Sequence, residues 1–429
     1  MASIEQRFLG SVKFFQIIYI IGYFLAKINK IFEGIATPIS KKSYNLQQKR
    51  AKIRLFEKSS LNLRIILSFF CLIYLSGCQS VTNEPSITKP QSPKQEIEIA
   101  ILMPTTGGDG ELGKQYKDLI KMGLSDGIKS YIHVTSYDGS DEKNILAAMD
   151  KIVKRKTKII LGPLYSNFTS LIAEQARAND IIIITMSNNP ALAEDKLLVF
   201  GHAPLKQLIR IINYFGDNNY KDFMVLLPEG KHSQTVHQVI QNILIQKSAT
   251  LVRTAFYSET PESIEKAAEI ISDNVDIINE KEDTAKPVIY LSDDPKNLNL
   301  VANSIRKHNL DKKAILIGDN RIDIDYQENI NINFTGSLNI LNSDVPERAK
   351  ELGINHISFM HALAYDLGKM TASYIGEEFA LEKFLNRIKS RQPYIGLSGN
   401  IHFVDSIAQR QYDIIRKEDG VYSTLSSGR

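Results

Sequence analysis

The glycines of Gly108-Asp-Gly110-Glu-Leu-Gly113 have G-x-G-x-x-G spacing, after a β-branched run and before a helical one. That arrangement can bring backbone N–H groups up to a dinucleotide pyrophosphate, and Asp138 stands about where a ribose-binding acid would. The context argues against this use. Pro104-Thr105-Thr106 lengthens the turn, and Asp109 and Glu111 would set negative charge beside the pyrophosphate. The segment reads as a turn feeding a helix, and no cofactor is expected.

Hydroxyl and amide groups crowd at two other places, Gly162-Pro-Leu-Tyr165-Ser166-Asn167 and Met186-Ser187-Asn188-Asn189-Pro190, each directly after an apolar run. Both can present hydroxyls and backbone N–H groups at a helix N-terminus, which suits a carboxylate or another anion. Capping by Ser166 or Asn167 would account for one such residue. Both readings stay open.

Other chemistry finds no support. His232 and His237, like His356 and His361, are five apart and face different sides of a helix, and H-E-x-x-H is absent. Gly396-Leu-Ser-Gly399 lacks the last glycine of a nucleophile elbow. The two cysteines, Cys71 and Cys78, both lie in the N-terminal segment, so the rest of the chain has no thiol for pairing, metal binding or attack. No metal site is expected, and the protein is read as not an enzyme.

The elements that must position the strand-end groups follow from periodicity. Strand-like runs at 97–103, 131–137, 158–162, 181–185 and 197–201 alternate with helical periods, such as Leu112, Tyr116, Leu119, Ile120 and Leu124. The four isoleucines at 181–184 suit a strand buried on both faces. A helix over 205–215 leads through Gly216-Asp-Asn-Asn219 into a second series: strands at 223–227, 251–256, 288–291 and 314–318, with helices at 233–246 and from Thr260-Pro261. The charged stretch 276–286 reads as a surface excursion. A long helix over 357–375, another near 379–390 and short strands complete the chain. The expected fold class is therefore α/β, two lobes, each a mostly parallel sheet flanked by helices. A length of 429 residues agrees with more than one lobe, because single cores stop growing near ~250–300 residues.

The N-terminal part has a different character. Ile65 to Leu75 is apolar, follows a basic stretch and ends at Leu75-Ser-Gly-Cys78, the layout of a signal peptide. The run falls short of the roughly 17–25 residues of a membrane span. Residues 79–96 are polar, with three prolines, and read as a tether. A second apolar run, 14–26, precedes them. It is either a further membrane-associated helix or lies upstream of a true start at a non-Met codon, and the second is preferred. Much of the formal net charge of +4 sits before Arg64, and no basic patch is read after Gln79, which argues against nucleic acid.

Leu75-Ser-Gly-Cys78 resembles the bacterial lipobox, which implies lipid attachment at Cys78 and anchoring in the cell envelope. In a Gram-negative cell, Gln79 rather than Asp implies the periplasmic face of the outer membrane. A tether of 18 residues would then reach at most ~60 Å, at ~3.3–3.6 Å per residue. The chain after Ile97 resembles the type 1 periplasmic binding proteins of the leucine/isoleucine/valine-binding group. The marks are Ala100-Ile-Leu-Met-Pro104, Ile160-Leu-Gly-Pro-Leu164, the run to Asn189, and Gly396-Leu-Ser-Gly399 to Asp405. The closer likeness is to lipoprotein penicillin-binding-protein activators, through Val199-Phe-Gly-His202-Ala-Pro204 and Ala362-Leu-Ala-Tyr365-Asp366.

The resemblance implies three crossovers, hinge closure over a cleft, and regulation of a peptidoglycan synthase by contact. The alternative is the substrate-binding lipoprotein of an ABC permease, with an amino acid as the small-molecule ligand. The implied ligand residues are Tyr165, Ser166, Ser187 and Asn189 in the first lobe, and Tyr257, Ser292 and Asp293 in the second. The implied organisation is 1–78 extension and signal, 79–96 tether and 97–425 domain. Its first lobe takes 97–215 and 345–395, and its second 216–344 and 396–425.

Overall fold

The computed structural model describes residues 97–127, 132–281, 284–293, 295–319, 330–375 and 379–428. Cys78, the tether and both N-terminal apolar runs lie outside the described residues. Among those described, no helix is long and apolar enough to cross a membrane.

The first sheet holds β1 (Ile97–Met103), β2 (Ile132–Asp138), β3 (Ile159–Leu161), β4 (Ile182–Thr185) and β5 (Leu197–Val199), all parallel. The second holds β6 (Asp222–Pro228), β7 (Thr250–Tyr257), β8 (Val288–Leu291), β9 (Ile315–Gly318) and β10 (Ile332–Gly336), also parallel. Strands β3, β4 and β5 are buried throughout, as continuous apolar runs covered on both faces must be.

Helices α1 (Gly110–Gly127), α2 (Glu142–Lys154) and α3 (Ser166–Ala178) serve the first sheet. Then come α4 (Pro204–Asp217), α5 (Lys231–Gln246), α6 (Pro261–Asn279), α7 (Pro295–Lys307) and the short α8 (Leu310–Lys313). Helices α9 (Val345–Lys350), α10 (Phe359–Ile375) and α11 (Leu381–Ile388) follow. Helix α10 lies so close along α1 that a Cβ at Gly368 would stand 2.1 Å from the Ile120 carbonyl oxygen. Only glycine permits that approach.

The final strands correct the expected lobe boundaries. β11 (Tyr394–Gly396), β12 (Gly399–Val404) and β13 (Ile407–Gln411) extend the first sheet, with β13 running parallel beside β5. Only β14 (Asp413–Glu418) and β15 (Val421–Ser426) join the second. The return crossing is therefore at Tyr412, not at 396.

The first crossing also comes earlier than 215. Leu208, Ile211, Ile212 and Phe215 line one face of α4 and pack with Phe223 and Val225 of the second sheet. Full burial of such side chains contributes roughly 1.5–3 kcal/mol each, so packing assigns α4 to the second lobe. The crossings thus lie near 201–203, between β10 and α9, and at Tyr412. The stretch 276–286 is not wholly an excursion, since α6 continues to Asn279 with Ile278 buried.

Candidate functional site

The parallel strands of each lobe end in loops that carry the polar residues singled out by sequence. In the first lobe the Asp138 carboxylate, at the end of β2, accepts from the Thr105 N–H at 2.8 Å, the Thr106 hydroxyl at 2.6 Å, the Ser140 hydroxyl at 3.0 Å and the Asn144 amide at 3.1 Å. Partial burial raises its proton affinity, but these donors outweigh it and hold the carboxyl near a pKa of about 2. Asp138 therefore organises its own loop, and a ribose would have to displace those bonds.

Tyr165 is the residue before α3 and its side chain does not cap the helix; its hydroxyl donates instead to Asp109 across the loop after β1. Ser166 and Asn167 are the first two helical residues, so neither is the cap. After β4, the buried Ser187 accepts from the Asn189 N–H through Oγ at 3.1 Å. Asn189 in turn caps a 3₁₀ turn by accepting from the Ala191 N–H at 3.1 Å. For Asn189 the local, capping use is thus realised.

The second-lobe residues converge. The Tyr257 hydroxyl donates to Asp293 at 2.7 Å, and the Asn297 amide reaches the same carboxylate at 3.3 Å. Ser292 and Tyr290 donate to Asp319 at 2.9 and 3.1 Å. All six side chains are buried. Tyr257, Ser292 and Asp293 were expected here; Asp319 and Asn297 were missed. Asp319 had a signal, since it directly follows the strand predicted at 314–318.

A third cluster, which sequence reasoning missed, lies in the first lobe beside the crossings. Asp366, fully buried on α10, accepts from the Leu397 N–H at 2.7 Å, the Ser398 N–H at 2.7 Å and the Ser398 hydroxyl at 2.6 Å. Ser398 Oγ accepts from Arg410 Nε at 3.3 Å. The Arg410 guanidinium also donates to the carbonyls of Phe200 and Gly201, at 2.7 and 3.0 Å, and lies 4.6 Å over the Phe200 ring. Burial pushes the Asp366 carboxyl upward while the three donors pull it back, and burial lowers Arg410.

A Cβ at Gly396 would meet the Asp366 carboxylate at 2.4 Å, which is the reason for glycine there. Gly396 also accepts, through its carbonyl, from Asn339 at 2.7 Å. His202 and Tyr412 both pack against Phe359, at 5.7 and 6.2 Å between centroids. One residue from each crossing thus touches this cluster or the aromatic side chains beside it: His202, Asn339 and Tyr412.

Among the described residues no cluster of His, Cys, Asp or Glu has the geometry of a metal site. Cavities of about 500, 440 and 760 Å³ open at the starting ends of the two sheets and beside β11, and none is lined by the strand-end residues above.

No protein-family profile matches the chain. The uncharacterized protein RP748 of Rickettsia prowazekii is 74% identical over 364 residues, covering 85% of this chain and 98% of that protein. The leucine-binding protein LivK of Thermotoga maritima superimposes with a TM-score of 0.53 at 17% identity, over 77% of this chain and 98% of that one. The C-domain of LpoA from Haemophilus influenzae, described as a regulator of PBP1A, gives 0.54 at 16% identity, over 76% and 99%. A putative branched-chain amino acid ABC transporter protein of Rhodospirillum rubrum gives 0.61 at 12% identity, over 77% and 100%. The fold is thus that of the type 1 periplasmic binding proteins, which LpoA shares.

Proposed function

We propose, from the premise that this chain belongs to the same family as Rickettsia prowazekii RP748 and has the type 1 binding-protein fold, that it is a non-enzymatic envelope protein. In this reading it is lipid-anchored at Cys78 and regulates a peptidoglycan synthase through protein contact. The observation that carries it is the state of the strand-end groups. Tyr257, Asn297 and Asp293, like Tyr290, Ser292 and Asp319, hydrogen-bond one another, and Ser187 and Asn189 serve their own loop. A ligand would have to break these buried bonds, each worth about 0.5–1.5 kcal/mol net and more where a carboxylate accepts. A protein surface makes no such demand.

The amino-acid receptor reading is favoured by one feature, the two buried carboxylates Asp293 and Asp319 at adjacent strand ends, which suit an ammonium group. A thermal-shift screen of the protein against the common amino acids separates the two. The synthase-regulator reading expects a flat screen. An amino acid that binds at a hundred times its Kd would stabilise by about 2.7 kcal/mol, and such a hit would overturn the reading in favour of solute binding.

A further inference from the structure

The end of the first lobe opposite the strand-end loops carries an unabsorbed feature. Residues 150–158, Asp-Lys-Ile-Val-Lys-Arg-Lys-Thr-Lys, bring five cations and one acid to the turn from α2 into β3. It is a basic cluster within the folded part of the chain, after Gln79. Lys154, Arg155 and Lys156 are exposed and Lys158 half-buried. Arg155, Lys156 and Lys158 border the cavity of about 500 Å³, together with Glu98.

Glu98 neutralises one of them, accepting from Arg155 at 2.8 Å with His133 at 3.9 Å. Asp180 pairs with Lys196 at 2.6 Å and feels Lys158 only through space. Lys154, Lys156 and Lys158 have no carboxylate within salt-bridge distance among the described residues.

The ordinary explanation is that cations at a helix C-terminus answer its dipole. It covers Lys151 and Lys154, the basic residues of the last turn. It does not cover Lys156 or Lys158, which lie beyond the cap. Lys156 moreover holds φ at +55°, a left-handed position at which glycine is the favoured residue. A lysine there adds charge at a conformational cost.

The second observation is where the chain enters. The Lys158 N–H donates to the Glu98 carbonyl at 3.0 Å, so the cluster sits beside the first residues of β1. Everything N-terminal to Ile97, including Cys78, is joined to the body at this end.

We infer that Lys154, Lys156 and Lys158, with Arg155, form a docking surface for anionic lipid headgroups, which seats the first lobe on the membrane and turns the strand-end loops away from it. The inference deepens the envelope reading and rests on its membrane anchor. Cations near an anionic surface are each worth about a fivefold effect, and the attraction falls off within a Debye length.

The test is lysine acetylation footprinting of the full chain, reconstituted in vesicles of phosphatidylglycerol with phosphatidylcholine and in vesicles of phosphatidylcholine alone. Lys154, Lys156 and Lys158 are expected to react several-fold more slowly on the anionic vesicles, with the difference lost in high salt. Lys231, at the end of β6 on the loop side, should react alike on both. Equal rates at the three lysines on the two vesicles would overturn the inference. The mass of the Cys78 peptide in the same digest reads the anchor separately, so protection without acylation would support the docking surface while removing the lipid anchor.

Discussion

Asp366→Ala is expected to lower the free energy of unfolding by about 3–5 kcal/mol, the range for removing one partner of a buried, hydrogen-bonded charge pair. The substitution strips acceptors from two backbone N–H groups and from the Ser398 hydroxyl, between β11 and β12. It also leaves Arg410 buried with its counter-charge gone, since Ser398 is the relay between them. Asp366→Asn keeps an acceptor and the shape, so its loss should be smaller. Denaturant unfolding followed by circular dichroism measures both. Equal, near-zero losses would mean that the network does not stabilise the fold.

Between pH 6.5 and about 4 the fold should lose on the order of 3 kcal/mol through His361 alone. Burial, with a smaller contribution from His356, lowers this imidazole from 6.5 to about 4. The hydrogen bonds explain why the neutral ring is held: Nδ1 accepts from the Ser358 N–H at 3.1 Å, and Nε2 donates to the side-chain amide oxygen Oε1 of Gln115 at 2.9 Å. Protonation at Nδ1 would break the first of these. The sign follows from which state takes up the proton. Below pH 6.5 the unfolded chain binds one that the folded chain refuses until about pH 4, so stability is full above 6.5 and falls as the pH drops through this window. His361→Gln should flatten that part of the profile, read from unfolding midpoints at stepped pH. An unchanged slope would assign it to other groups.

The two predictions concern residues whose partners could not be read from the chain. Asp366 and Arg410 are joined through Ser398 on a turn, and Gln115 lies on α1, far from His361 in sequence. Periodicity reports one element at a time. It located β3, β4 and α4, because those signals are local. It could not say which sheet the face of α4 would cover, and so the lobe boundaries moved to 201–203 and Tyr412.

The candidate site divides in the same way. Strand ends were legible, so Tyr257 closes β7 and Ser187, Ser292 and Asp293 fall in the loops just after β4 and β8. Their bonding to one another was not, because Tyr257 and Asp293 meet only when β7 and β8 flank β6. Helix α7 had a readable signal in Leu298, Val301, Ala302 and Ile305, at helical spacing but among asparagines and lysines, and it went unread. The Gly396-Leu-Ser-Gly399 segment carries a family likeness but no nucleophile pattern. Its use became plain only with the Asp366 carboxylate against Gly396.

The central claim is contact with a cell-wall synthase, and capture tests it most directly. The full chain, immobilised and incubated with detergent-solubilised envelope proteins from the cells that make it, should retain a peptidoglycan synthase that survives washing and cross-links to the folded body. Recovery of an ABC permease in its place, or of no synthase at all, would contradict the account.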